Sequence, residues 1–325
     1  MVDGYNREID YMRISITDRC NLRCIYCMPN GVSWVPMADI LTMEEICQIA
    51  AVGAALGIRH IKVTGGEPLV RKGCCDLVRM LKGISGIEKV TITTNGVLLN
   101  QYFKLLLEAG IDGINISLDS REKETYKRLT GTDGLALVME GLRAAAASSV
   151  CVKVNAVSLD LGYDNCQRML ELAREYPVDV RFIEMMPIGC GKQFLSVSHE
   201  KLISRIIQDY PGMAEDYRVH GSGPAVYYQI PGFQGSIGFI SAIHGKFCQS
   251  CNRVRLTAQG FLKTCLCYED GVDLRNILRG DGSEEEKRRR LEETMKEAVL
   301  KKPKAHCFEN PEKMTEQNNM IAIGG

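Results

Sequence analysis

The chain has 325 residues, enough to bury one large core, and its forty acidic and forty basic side chains give a formal net charge of zero. That balance argues against an extended nucleic-acid surface, though it leaves room for a local basic pocket. No apolar run reaches the roughly 18 residues of a membrane span, the first residues lack a signal-peptide core, and fourteen cysteines in such a chain point to thiolate ligands in a reducing cytoplasm rather than to disulfides.

Residues 11–16 alternate as a strand does, and Cys20-Asn21-Leu22-Arg23-Cys24-Ile25-Tyr26-Cys27 follows them. The spacing C-x3-C-x2-C puts three thiols in one loop. A structural zinc site takes four protein ligands, and an iron–sulfur cube usually takes four cysteines. The next cysteine, Cys47, lies inside a helical pattern, so the three leave one metal position open. A zinc knuckle or three buried core thiols are the plainer readings. Thr42-Met43-Glu44-Glu45 opens a helix in capping-box fashion, closed by Gly57. Strands are expected at 59–63, 89–92, 113–116, 152–157 and 178–183, with helices at 73–83, 98–109, 122–148 and 164–175. This alternation implies parallel pairing and right-handed crossovers. It predicts an α/β fold, a partial (β/α)6 barrel over residues 1–195. Beyond it, a helix at 198–209, short antiparallel strands at 226–230 and 236–240 and a charged helix at 284–300 predict a smaller α+β module over 196–325.

In such barrels ligands bind at the C-terminal strand ends. There fall the cysteine loop, Thr64-Gly65-Gly66-Glu67-Pro68, Thr93-Thr94-Asn95, Ser117 to Asp119, Asn155 and Glu184 to Met186. A second thiol set is Cys248, Cys251 and Cys265, spaced C-x2-C-x13-C, with Arg253 and Arg255 between. Cys267 lies two residues on, and spacing leaves open which of the two ligates; both together would make a closed four-cysteine site. On an extended stretch Arg253 and Arg255 point the same way, and their forks suit phosphate oxygens.

The motif C-x3-C-x2-C with Tyr26 inside it resembles the signature of radical S-adenosylmethionine enzymes, and Gly65-Gly66-Glu67-Pro68 resembles their Gly-Gly-Glu-Pro motif. With the second thiol set and its Arg-x-Arg, the chain resembles the GTP 3′,8-cyclase family of molybdenum cofactor biosynthesis, from Arg13 to the terminal Gly324-Gly325. The resemblance implies two 4Fe–4S clusters, one on Cys20, Cys24 and Cys27 and one, in the C-terminal module, on Cys248, Cys251 and Cys265. It implies S-adenosylmethionine against Tyr26, Gly66, Ser117 and Met186, and GTP against Arg13, Lys62, Thr93, Lys153, Arg253 and Arg255. Arg253, Arg255 and the tail glycines Gly324 and Gly325 would serve the reaction directly. That reaction is a lyase's: a 5′-deoxyadenosyl radical takes hydrogen from C3′ of GTP, and the carbon radical attacks C8. Lys62 stands where the family commonly has arginine, keeping the charge but losing the fork. Expected partners are GTP, an electron donor and, downstream, cyclic pyranopterin monophosphate synthase. Neither nucleic acid nor membrane is expected, and a homodimer is admitted. The alternatives are a radical S-adenosylmethionine enzyme that modifies peptides and a non-catalytic iron–sulfur or zinc protein.

Overall fold

The computed structural model describes residues 1–28 and 34–324. The strands β1 (Tyr11–Ser15), β2 (His60–Thr64), β3 (Lys89–Thr94), β4 (Gly113–Ser117), β5 (Cys151–Val157) and β6 (Asp179–Ile183) pair in parallel in chain order. Between them run α1 (Met43–Ala55), α2 (Cys74–Lys82), α3 (Leu99–Glu108), α4 (Lys123–Thr130), α5 (Leu135–Ala146) and α6 (Tyr163–Glu175). The capping box of α1 is formed: Thr42 accepts from the Glu45 N–H, and the Glu45 carboxylate accepts from the Thr42 N–H. The single helix expected at 122–148 is two, because Gly131 adopts φ +76° and turns the chain out of α4.

After α7 (His199–Asp209) come β7 (Ala214–Glu215), β8 (Val226–Gln229) and β9 (Ile237–Ile240), then β10 (Arg253–Leu256), β11 (Phe261–Lys263), β12 (Gly271–Asp273), α8 (Arg275–Arg279) and α9 (Glu284–Leu300). The twelve strands among the described residues form one sheet, β12-β11-β10-β1-β2-β3-β4-β5-β6-β9-β8-β7. The antiparallel pair expected at 226–240 is β8 with β9, but β9 also runs parallel to β6, and β10 runs parallel to β1. The C-terminal strands therefore extend both edges of the barrel sheet. β7 and β12 do not pair with each other, so the barrel stays open.

Strand residues alternate between two faces. Met12, Ile14, Ile61, Val63, Val90, Ile92, Ile114, Ile116, Val154 and Val180 are fully buried in the core between sheet and helices. Each such side chain contributes about 1.5–3 kcal/mol by leaving water. The intervening positions carry Arg13, Lys62, Thr93, Asn115, Ser117, Lys153, Asn155 and Arg181. A polar barrel interior results, held rigid by an apolar shell. No helix among the described residues is long and apolar enough to cross a membrane.

Candidate functional site

Cys20, Cys24 and Cys27 are half-buried in the loop after β1. Two backbone bonds pin this loop to the end of α4, Arg23 N–H to the Thr130 carbonyl at 2.8 Å and Ile25 N–H to the Leu129 carbonyl at 3.0 Å. The loop after β2 holds its other side: Gly66 N–H donates to the Thr17 carbonyl at 2.7 Å and Glu67 N–H to the Arg19 carbonyl at 2.8 Å. A Cβ on Gly66 would lie within 2.7 Å of the Arg19 carbonyl carbon, and one on Gly65 within 2.7 Å of the Thr17 oxygen. Glycine is therefore required here by the cysteine loop's own backbone, a reason beyond the ligand approach that the motif suggests. Glu67 fastens the next loop as well, accepting from the Thr94 hydroxyl and the Asn95 N–H, and the Asn95 side chain donates to Asn21 at 2.7 Å and toward the Cys20 sulfur at 3.8 Å.

The three thiols line a cavity of about 260 Å³ together with Tyr26, Gly66, Ser117, Met186, Thr93, Arg13 and Arg255. The Tyr26 hydroxyl donates to Asp119 at 2.6 Å, and Asp119 also accepts from the Val157 N–H, so the ring is fixed across the mouth of β4 and β5. Burial pushes the thiols up, helped at Cys24 first by the Asp119 carboxylate and at Cys27 by Cys20, Cys27 to about 12 and Cys24 well above its ordinary range. A metal that binds them must displace their protons. No group of three His, Cys, Asp or Glu among the described residues closes around a single ion. The three thiols on one cavity wall are soft donors of the kind that iron–sulfur clusters and zinc take.

Register aligns the cations. On three neighbouring strands, Lys62 of β2, Arg13 of β1 and Arg255 of β10 stand side by side. Lys62 is buried and makes no hydrogen bond or ion pair among the described residues; burial, then Arg181, Arg13 and Lys153, pushes its ammonium well below the usual lysine range. Arg255 is likewise lowered, first by burial and then by Arg13. Thr93 Oγ1 is buried without a partner. Lys62 and Lys153 lie off the cavity wall. Lys153 stands beyond β4, 3.3 Å from the Tyr227 hydroxyl and 3.8 Å from Asp179, and Arg253 is stacked on Phe247. Arg181, missed in the sequence, joins the cationic set: it donates to Asn155 and packs where Gly238 leaves room. Its position on β6, in phase with Ile183, was the available signal.

Cys248, Cys251 and Cys265 form the second group, all half-buried. Arg7 donates to the Cys248 carbonyl at 2.8 Å, and the His306 N–H faces the Cys248 sulfur at 3.4 Å. Cys267 is turned away, fully buried among Ile188, Leu266, Phe308 and Met314, its sulfur 3.4 Å from that of Cys307. Burial pushes the Cys251 thiol up, but Lys302 and Arg253 outweigh it, and the thiol ends below its ordinary value. Cys251 precedes β10 and Cys20 follows β1, and these strands are parallel. The triplets thus stand at opposite ends of the same strands, with the five residues of β1, roughly 16 Å, and the cation row between. The tail enters that gap: Arg255 donates to the Gly324 carbonyl at 2.8 Å, Met320 lines the cavity, and Gly324, at φ +79°, packs on Ser15. Gly325 lies outside the described residues.

The chain matches the Radical SAM superfamily over residues 14–180 and Molybdenum Cofactor Synthesis C over residues 178–308. A GTP 3′,8-cyclase of Clostridium perfringens (strain 13 / Type A) is 40% identical over 327 residues, spanning 100% of both chains. One of Petrotoga mobilis (strain DSM 10674 / SJ95) is 42% identical over 333 residues with the same full coverage. Among solved structures, Streptococcus suis SuiB bound to S-adenosylmethionine shares the fold, with a TM-score of 0.67 at 11% identity over 97% of this chain and 77% of that one.

Proposed function

The chain belongs to the GTP 3′,8-cyclase family of radical S-adenosylmethionine enzymes, and on that premise we propose that this site converts GTP to (8S)-3′,8-cyclo-7,8-dihydroguanosine 5′-triphosphate, the first step of molybdenum cofactor biosynthesis. The enzyme is a lyase that uses two 4Fe–4S clusters and S-adenosylmethionine. The reading is carried by the two thiol triplets at opposite ends of shared strands, with a row of cations between them. When bound, the first cluster and S-adenosylmethionine supply the radical chemistry that removes hydrogen from C3′ of the ribose and so allows its joining to C8 of guanine.

Cys20, Cys24 and Cys27 would hold the first cluster, and Tyr26, Gly66, Ser117 and Met186 would bind S-adenosylmethionine in the cavity they line. Arg13, Lys62, Lys153, Arg253 and Arg255 would take the triphosphate, because several fixed cations are needed to answer its charge. Thr93 offers a hydroxyl with no other partner. Cys248, Cys251 and Cys265 would hold the second cluster at the guanine end. Gly324 would complete the wall where a larger residue would meet Ser15, and Gly325 would serve the reaction with it. Residues 1–195 form the barrel unit and 196–325 the unit that brings the second cluster and the tail. The protein works in the cytoplasm, takes electrons from a separate donor, passes its product to cyclic pyranopterin monophosphate synthase, and is compatible with a homodimer.

The test is iron and sulfide per chain after anaerobic reconstitution, with turnover of GTP and S-adenosylmethionine, in the parent and a Cys265→Ala variant. About eight irons in the parent, a lost or damaged second cluster in the variant, and cyclised GTP from the parent alone are expected. About four irons in both proteins would remove the main support for GTP.

A further inference from the structure

Lys302 follows α9 in the run Lys301-Lys302-Pro303-Lys304, which in sequence looks like a solvated cationic stretch. In the fold it is only 3% exposed. Its ammonium donates to the carbonyl oxygens of Arg253, at 3.0 Å, and Thr264. Arg253 is two residues after Cys251 and Thr264 is one before Cys265, so this cation ties together the two halves of the second triplet. The two bonds set the buried ammonium beside the loops that carry Cys251 and Cys265. Both carbonyls are neutral, which leaves the thiol group as the place where a buried positive charge finds compensation.

We infer that Lys302 positions and electrically tunes the iron–sulfur cluster that Cys248, Cys251 and Cys265 would hold. The inference rests on the reading of that triplet as a cluster site. Three thiolates on a four-iron cube make an anionic assembly, and uptake of one electron makes it more so. A cation fixed beside the ligand loops therefore favours the reduced form. Lys302 also braces the chain on either side of the ligands through its two carbonyl bonds, so charge and position act together.

The test is an anaerobic redox titration with dithionite as the one-electron reductant, followed by electron paramagnetic resonance, on the reconstituted parent and the Lys302→Gln and Lys302→Arg variants. Iron and sulfide are counted on the same samples. A parent with only about four irons would sink the cluster reading itself before any variant is compared. With about eight irons present, Lys302→Gln, which keeps a donor but no charge, should make the second cluster at least about tenfold harder to reduce, or about 59 mV for one electron. The first cluster, at the other end of the strands, should keep its midpoint, and Lys302→Arg should restore most of the parental value. An unshifted second midpoint in the glutamine protein overturns the inference. If the glutamine protein loads no second cluster, the arginine protein decides: loading there upholds the need for charge, and failure there overturns it.

Discussion

Replacing Glu67 tests whether one buried carboxylate organises the loops around the first thiol group. Glu67 is 0% exposed and accepts from the Leu69 N–H at 3.0 Å, the Thr94 hydroxyl at 2.8 Å and the Asn95 N–H at 2.6 Å. Glu67→Ala strips the partner from all three. At about 1–3 kcal/mol for each orphaned group, and with the Thr94 hydroxyl free to turn elsewhere, the loss is about 2–6 kcal/mol. That is a large share of the roughly 5–15 kcal/mol that holds a domain folded. Burial also pushes the Glu67 carboxyl up, from an ordinary 4.5 to about 7. Between those values the folded chain binds more protons than the unfolded one. The favourable contribution is therefore complete below about 4.5 and is lost as pH rises to about 7, a change of about 3 kcal/mol. Glu67→Gln keeps the shape but cannot titrate. Anaerobic urea unfolding of the parent, Gln and Ala proteins across that pH window gives both quantities. The stability of the parent relative to Gln should fall as pH rises. A difference that stays flat with pH, or an Ala protein within about 1 kcal/mol of the parent, would refute the reasoning.

Gly66→Ala drives a methyl into the Arg19 carbonyl; the cysteine loop must shift, so the reconstituted protein should hold less iron at the first site, and parental iron content would contradict this. Tyr26→Phe leaves the buried Asp119 oxygen without its 2.6 Å donor and should cost about 1–3 kcal/mol in thermal unfolding; an unchanged Tm would show that the bond contributes nothing. Burial, then Arg181, Arg13 and Lys153, pushes the Lys62 ammonium below the usual lysine range, and an arriving triphosphate should draw it back up. Calorimetry of GTP binding in two buffers of different ionisation enthalpy should then show proton uptake, diminished in Lys62→Met; heats independent of the buffer would rule out this coupling.

The sequence by itself determined the alternation of strands and helices, because burial of Ile14, Val63, Ile92 and Ile116 beneath the helices imposes a period of two inside strands and 3.6 between them. It also determined which residue types gather at the strand ends, since the cysteine loop and Gly65-Gly66-Glu67-Pro68 follow strands and Ser117 ends one. The break at Gly131 was not legible, because an isolated glycine inside a helical pattern is often tolerated and its left-handed φ emerges only with the turn. Only the tertiary structure decided the rest. Parallel pairing of β10 with β1 depends on contacts more than two hundred residues apart, and it alone sets Arg255 beside Arg13 and sends the two thiol groups to opposite ends. The side-chain packing that buries Cys267 against Cys307 could not be read from spacing, since residues two apart in a loop carry no fixed facing. Lys302 makes the same point: a lysine in a charged run is buried because two carbonyls, distant in the chain, close around its ammonium.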